Sequence, residues 1–294
     1  LQFKFNGFSI GVIDHVRVTL WWRSNGTFRH PNQLGMALLI LLPIVIRGSI
    51  SAMIGKDNKL LTICGAATVL GGIAILTTYS RGSWVGLTAG LMVMVTLDLM
   101  GKQSKIRKYA KAFLLISLLL GVLGAVKFKN VVMNRMFYTD HEQILEGRQS
   151  LQQEGIEVIR NNPILGVGYA NGQFYGHNIV HNLYILIASE IGIPGLVFLA
   201  WFLWEFLRLL IKGHRSKIAL VKNYSHGIVG SIVAFLIASI PGPDFWTSQA
   251  IQIHFWAALV IIVSLNRLEQ LAILKTRKEQ FAKRALSLMP QKLT

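Results

Sequence analysis

The chain has 294 residues, of which 52% are apolar and only 15% charged, and it carries a formal net charge of +17. A water-soluble chain of this length needs more surface charge, so a soluble globular class is excluded. A basic excess this large would suggest nucleic acid in a soluble protein. Here the basic runs lack interleaved aromatics and a binding motif, so no nucleic-acid partner is expected.

Residues 1–33 contain no apolar block and no short signal segment with a charged start. They are expected to form an outer-face segment that follows further, N-terminal spans. Apolar blocks at 34–54, 60–79, 83–100 and 110–127 make 34–127 four transmembrane helices. Pro43 and Arg47 interrupt the first, whose second half is expected to be irregular or tilted. Residues 128–182 form a long loop. Within it, Glu142 to Arg160 suits a helix lying along the interface, with Ile144, Leu145, Leu151, Ile156 and Ile159 on one face. Asn161-Asn162-Pro163 stops that helix. Gly166 to Gly172 is turn-rich and lacks a nucleotide-binding fingerprint, so it reads as an ordinary loop rather than a phosphate cradle. Blocks at 183–211, 226–240 and 249–265 add three transmembrane helices within 183–265, the sixth ending at Pro241-Gly242-Pro243. The fold class is therefore all-α, a polytopic bundle of about seven spans. The basic tail, 266–294, suits contact with anionic lipid headgroups. The single cysteine, Cys64, has no intrachain partner.

The positive-inside rule orients the bundle. Lys56 and Lys59, the run from Lys102 to Lys111, the run from Lys212 to Lys222, and the tail fall on one side. The opposite connections hold Arg81 in a tight turn, no cation at 241–248, and a long loop whose charges nearly cancel. A multi-pass plasma-membrane protein with a cytoplasmic C-terminus and an extracytoplasmic long loop is expected.

Four distant segments then share the outer face: 26–32, 79–84, the long loop, and 241–246. Arg81 interrupts an otherwise apolar stretch. It serves either as a snorkelling anchor beside Tyr79 and Trp84 or as a guanidinium for an anion such as phosphate. His181 opens the fifth span, where the helix dipole disfavours protonation and leaves the ring usable as a base, although an interfacial His can equally be a plain hydrogen-bonding residue. His177 lies four residues earlier, but no carboxylate or cysteine completes a metal site, and no metal is expected. Glu190 suits pairing with an arginine inside the bundle.

The stretch His181 to Gly195, HNLYILIASEIGIPG, resembles the signature of the O-antigen ligase and O-antigen polymerase superfamily. Gly147-Arg148, followed by a helix and then NPILGVGYANGQF, is similar to the family's outer-loop pattern. TYSRGSW at 78–84 and GTFRHPNQLG at 26–35 match two further stretches in the family's order. Gln152 stands where a tryptophan is common, Arg29 stands where a glycine is common, and family members carry more spans.

The resemblance implies a GT-C-like bundle that moves a glycan from an undecaprenyl-diphosphate-linked donor to a glycan, lipid or protein hydroxyl acceptor at the outer leaflet, in surface polysaccharide biosynthesis of the cell envelope. It implies an inverting glycosyltransferase needing no metal or cofactor. Arg81 and Arg148 would bear on the diphosphate and His181 on the acceptor proton. Arg29, His30, Asn32, Asn182 and Tyr169 are the expected substrate-binding residues, Asn182 to orient the His or the acceptor. Gly192 and Gly195 suit close helix packing. The competing reading is a solute transporter whose path is lined by Arg47, Glu190 and Arg208.

Overall fold

A computed structural model describes residues 2–5, 8–11, 14–15, 22–101, 107–109, 111, 141–171 and 180–288. The expected span at 110–127 and His177 lie outside the described residues. Two short antiparallel hairpins come first, β1 (Gln2–Phe5) with β2 (Phe8–Gly11) and β3 (Asp14–His15) with β4 (Trp22–Arg23). Among the described residues the further elements are helices: α1 (Pro31–Gly55), α2 (Asn58–Thr77), α3 (Arg81–Met100), α4 (His141–Asn161), α5 (Leu183–Ile191), α6 (Ile193–His214), α7 (Ala219–Ala238), α8 (Asp244–Thr247) and α9 (Gln249–Leu288). Among the described residues, α1, α2, α3, α6, α7 and α9 are long and apolar enough to cross a membrane.

Local chemistry sets the helix ends. Pro31 opens α1, where its missing N–H costs nothing. Lys56, in a left-handed conformation, closes α1, and Asp57 caps α2 by accepting from Leu60 N–H at 3.0 Å. So short a link makes α1 and α2 antiparallel neighbours. Pro43 does not disorder the second half of α1, which continues as regular helix to Gly55. The Ser231 hydroxyl of α7 donates to the Ile40 carbonyl (2.6 Å) near the turn that Pro43 disturbs.

The core lies where α7 packs between α1 and α3. Gly86 and Gly90 of α3 meet Gly230 and Ala234 of α7. A Cβ at Gly86 would sit 2.5 Å from the Ala234 carbonyl oxygen, so only small residues allow this approach. Gly227 also brings α7 close to α1, where an added Cβ would sit 2.9 Å from the Pro43 carbonyl oxygen. By contrast, Val69, Leu70, Ile73 and Leu76 of α2 and Val197, Phe198 and Trp201 of α6 are exposed, as suits sides facing lipid.

Three sequence expectations change. The block 183–211 is two helices, because Gly192 takes φ +84 and breaks it. The carbonyls freed at the end of α5 are not left bare: Ser189 O and Glu190 O accept from Val167 N–H and Gly168 N–H, both at 2.9 Å. The turn-rich loop thus spends its N–H groups on the helix break. Irregular backbone at this depth needs that kind of internal pairing. The sixth block starts a full two turns earlier, at Ala219, since Lys222, Asn223 and His226 are polar residues inside the helix. The last helix runs on to Leu288, so much of the basic tail is helical.

Candidate functional site

A cavity of about 840 Å³ opens where three helix N-termini (α1, α3 and α5) meet the C-terminal end of α7 and the start of α8. Its size falls in the range of small-molecule sites, about 300–1,000 Å³. Its walls include Arg23, His30, Asn32, Tyr79, Arg81, Arg148, His181 and Asp244. α1 and α3 both run away from this cavity toward Lys56 and Gly101, so it lies at the end of the bundle opposite the basic connections.

Each wall residue is held by its own segment. The chain before α1 is tied to the end of α2 by Ser24 N–H on Thr77 O (3.0 Å) and Arg23 Nε on Thr78 O (2.8 Å). Arg23 Nη2 also donates to Asn32 Oδ1 at 2.8 Å. His30 caps α1, its Nδ1 accepting from Asn32 N–H at 3.2 Å, so a neutral His30 carries its hydrogen on Nε2. The α2–α3 turn is stiff. Trp84 Nε1 donates to Ile75 O (3.0 Å), and the Ser83 hydroxyl donates to Ser80 Oγ (2.9 Å). Gly82 lets this turn sit against Pro241, where an added Cβ would approach Pro241 Cγ to 2.9 Å.

Arg148 arrives on α4, which is anchored to α5 through Gly155. A Cβ there would meet Ile185 and Val180 at 2.8 and 2.9 Å. Arg148 and Gly155 are seven residues apart, on one face of the helix, so the anchored face is also the one that reaches the cavity. His181 precedes Asn182, the N-cap of α5, whose side chain accepts from Tyr184 N–H (2.9 Å) and Ile185 N–H (3.2 Å). Leu183 N–H on Ser239 O (3.1 Å) and Tyr184 OH on Leu236 O (2.8 Å) fix this start against α7.

The electrostatics favour an anion. Three guanidinium groups face one carboxyl, and three helix N-termini add positive partial charge. Burial, and then the charge of Arg148, hold His181 below the ordinary histidine value, so its ring is neutral at neutral pH. Burial pushes Asp244 up to about 6, against the lowering effects of its own backbone N–H, Arg148 and Arg23.

Of the eight residues singled out in the sequence, the cavity gathers Arg81, Arg148, His181, His30 and Asn32. Arg29 points to solvent, Asn182 spends its side chain on the cap, and Tyr169 packs edge-on to Trp246, centroids 5.4 Å apart. Sequence reasoning missed Arg23 and Asp244. Asp244 lies in the 241–246 segment already assigned to the outer face, and a lone carboxylate there was the available signal. The residues of the transport reading do not come together. Arg47 pairs with Asp98 (2.6 Å), Arg208 pairs with Glu205 on an exposed surface (2.9 Å), and Glu190 accepts from Trp246 Nε1 (2.7 Å) rather than from an arginine.

No curated protein and no solved structure shows significant similarity to the chain. Residues 66–200, which span α3, Arg148, His181 and the break at Gly192, match the sequence model of the O-antigen ligase family. Over these residues the chain is similar to the O-antigen ligase family.

Proposed function

We propose that the chain transfers a glycan from an undecaprenyl-diphosphate-linked donor to an acceptor hydroxyl in this cavity, on the extracytoplasmic side of the membrane. The observation that carries the reading is the meeting of Arg23, Arg81 and Arg148 with His181 in one cavity. In the transfer, the acceptor oxygen forms a bond to the anomeric carbon as the bond from that carbon to the phosphate oxygen breaks. The diphosphate leaves with the electron pair, and the arginines stabilise the charge that grows on it. They supply the positive charge for which other transferases use a divalent cation, so the reaction is metal-independent.

His181 takes the acceptor proton, a contribution typically worth about 10²–10⁴-fold in rate. Docking of the anionic diphosphate beside Arg148 offsets one of the charges that keep His181 from binding a proton, so donor binding strengthens the base. Attack from the face opposite the leaving group inverts the anomeric centre. His30 and Asn32 line the wall beside the arginines and suit contact with sugar hydroxyls.

The test uses the host gene deletion complemented with wild type, Arg81→Ala, Arg148→Ala and His181→Ala at equal membrane levels. Surface glycan and lipid-linked oligosaccharide are measured. Loss of long or attached glycan with build-up of lipid-linked precursor is expected. Single-repeat precursors identify a polymerase and long chains a ligase. Wild-type glycan in all three variants overturns the reading.

A further inference from the structure

Four helices join in a polar cluster at the far end of the bundle, which the proposed transfer does not use. Along α1 and α7 it lies about 16–18 Å from the cavity-lining Met36 and Ala238, at 1.5 Å per residue. Arg47 of α1 is 0% exposed, Asp98 of α3 2%, and His226 of α7 2%. Arg47 Nη2 lies 2.6 Å from Asp98 Oδ2. Asn223 accepts from Arg47 Nη1 at 3.2 Å and donates to the Arg47 carbonyl at 3.1 Å. The other carboxylate oxygen of Asp98 lies 2.7 Å from His226 Nδ1. His226 Nε2 then lies 2.9 Å from Nδ1 of His214, the partly exposed last residue of α6, and the two ring planes lie 25° apart with centroids at 5.0 Å.

The hydrogen-bond roles follow from chemistry. Asp98, paired with a guanidinium, is ionised and can only accept, so His226 Nδ1 carries a hydrogen. His226 Nε2 then has two states. With both rings neutral it accepts from His214 Nδ1–H. As an imidazolium it donates to a bare His214 Nδ1. The contact between the rings serves both.

We propose that His214 and His226 form a one-proton binding site, entered from solvent at His214 and occupied at His226. A solvent proton bonds to His214 Nε2, and the hydrogen on His214 Nδ1 passes to His226 Nε2. Two N–H bonds form and one breaks, for a net gain of one proton. His226 ends as an imidazolium between Asp98 and a neutral His214. Four other charges face the pair: Arg47 from α1, Asp98 from α3, Arg215 beyond the end of α6, and Lys222 on α7. Of these four, among the described residues, Asp98 alone carries the opposite charge. The site ties pH at the basic end of the bundle to the charge at the contact between α6 and α7. Gly213 and Ser225 already bring these helices into close approach there.

The full chain, purified in detergent with isotope-labelled histidine, tests this by ring NMR between pH 5 and 8, the range in which histidine ordinarily titrates. Eight histidines are present, and His214→Gln and His226→Gln assign the two signals. Both rings are expected to change with one shared midpoint. In either variant the remaining ring's midpoint moves by about one pH unit or more, because a coupled pair titrates as a unit. If His226→Gln does not fold, His214→Gln decides alone, since it alters a partly exposed helix end and His226 must still respond. Independent midpoints, or two rings that stay unchanged across the range, overturn the proposal and leave a fixed structural ion pair.

Discussion

Replacing Asp244 with asparagine should remove a pH-dependent penalty that the fold now carries. Burial raises this carboxyl from 3.8 to about 6. Between those values the unfolded chain has already released the proton and the folded chain has not, so the folded state binds more protons and stability falls as pH rises. At about 1.4 kcal/mol per pH unit, the loss across the window is about 3 kcal/mol, complete by about pH 7. Asp244→Asn keeps the shape and cannot ionise. The thermal unfolding midpoint of the purified chain, measured from pH 4 to 7, should therefore fall in wild type relative to the variant, by on the order of 10 °C for a chain of this size. Titration of His181 affects both proteins and largely cancels in the difference. A wild-type-minus-variant difference that is flat with pH, or that rises, would refute the burial argument and the placement of Asp244 in the cavity wall.

His181 gives the opposite sign. Its folded value is held below 6.5, so the unfolded chain binds the proton first, and stability is lost as pH falls below the ordinary histidine value. His181→Gln should remove that acid-side loss in the same unfolding series. Arg148→Gln takes away a cation that opposes protonation of His181 and favours ionisation of Asp244. Ring NMR should show His181 titrating at higher pH, and Asp244 should follow in the same direction. Asn182→Ala deletes the cap of α5 and should cost about 1 kcal/mol in denaturant unfolding. Gly192→Ala meets a harder limit, because its φ is +84 and a Cβ would run into the Ile164 carbonyl, with the Pro163 carbonyl oxygen also only 3.0 Å away. It should cost about 1–3 kcal/mol and loosen the 162–168 loop, visible as faster proteolysis there.

The sequence carried the bundle because lipid leaves few options: a run of apolar residues long enough to cross must be helical. It also pointed to Arg81 and His181, since a lone charge or imidazole at an apolar boundary is conspicuous, and to Arg148 through the family pattern alone, and the fold brings all three to one cavity. What it could not show was pairing. Arg47 looked like a path-lining charge until the fold brought Asp98, 51 residues away, against it. Asn182 looked like a substrate contact, yet a side chain directly before a helix finds its nearest donors in that helix. The block 183–211 looked like one span because hydropathy does not register a single backbone angle, and Gly192 needs only that angle to break the helix.

The break and the cavity are linked physically. A continuous helix over 183–211 would leave Val167 and Gly168 N–H without the carbonyls of Ser189 and Glu190, and the 162–168 loop would lose its dock. That loop follows directly on α4, the helix that presents Arg148. Trp246, held by Glu190 near the same break, belongs to the short helix that Asp244 opens. The carbonyls freed by one glycine thus dock the loop behind Arg148, and the side chain of Glu190, beside the break, holds the short helix that opens with Asp244. In this way an apolar bundle, whose own spans tolerate few charges, assembles a charged cavity at its end: the ionisable groups sit on helix termini, on loops and on the polar α4, and hydrogen bonds at the helix break help to hold two of these segments.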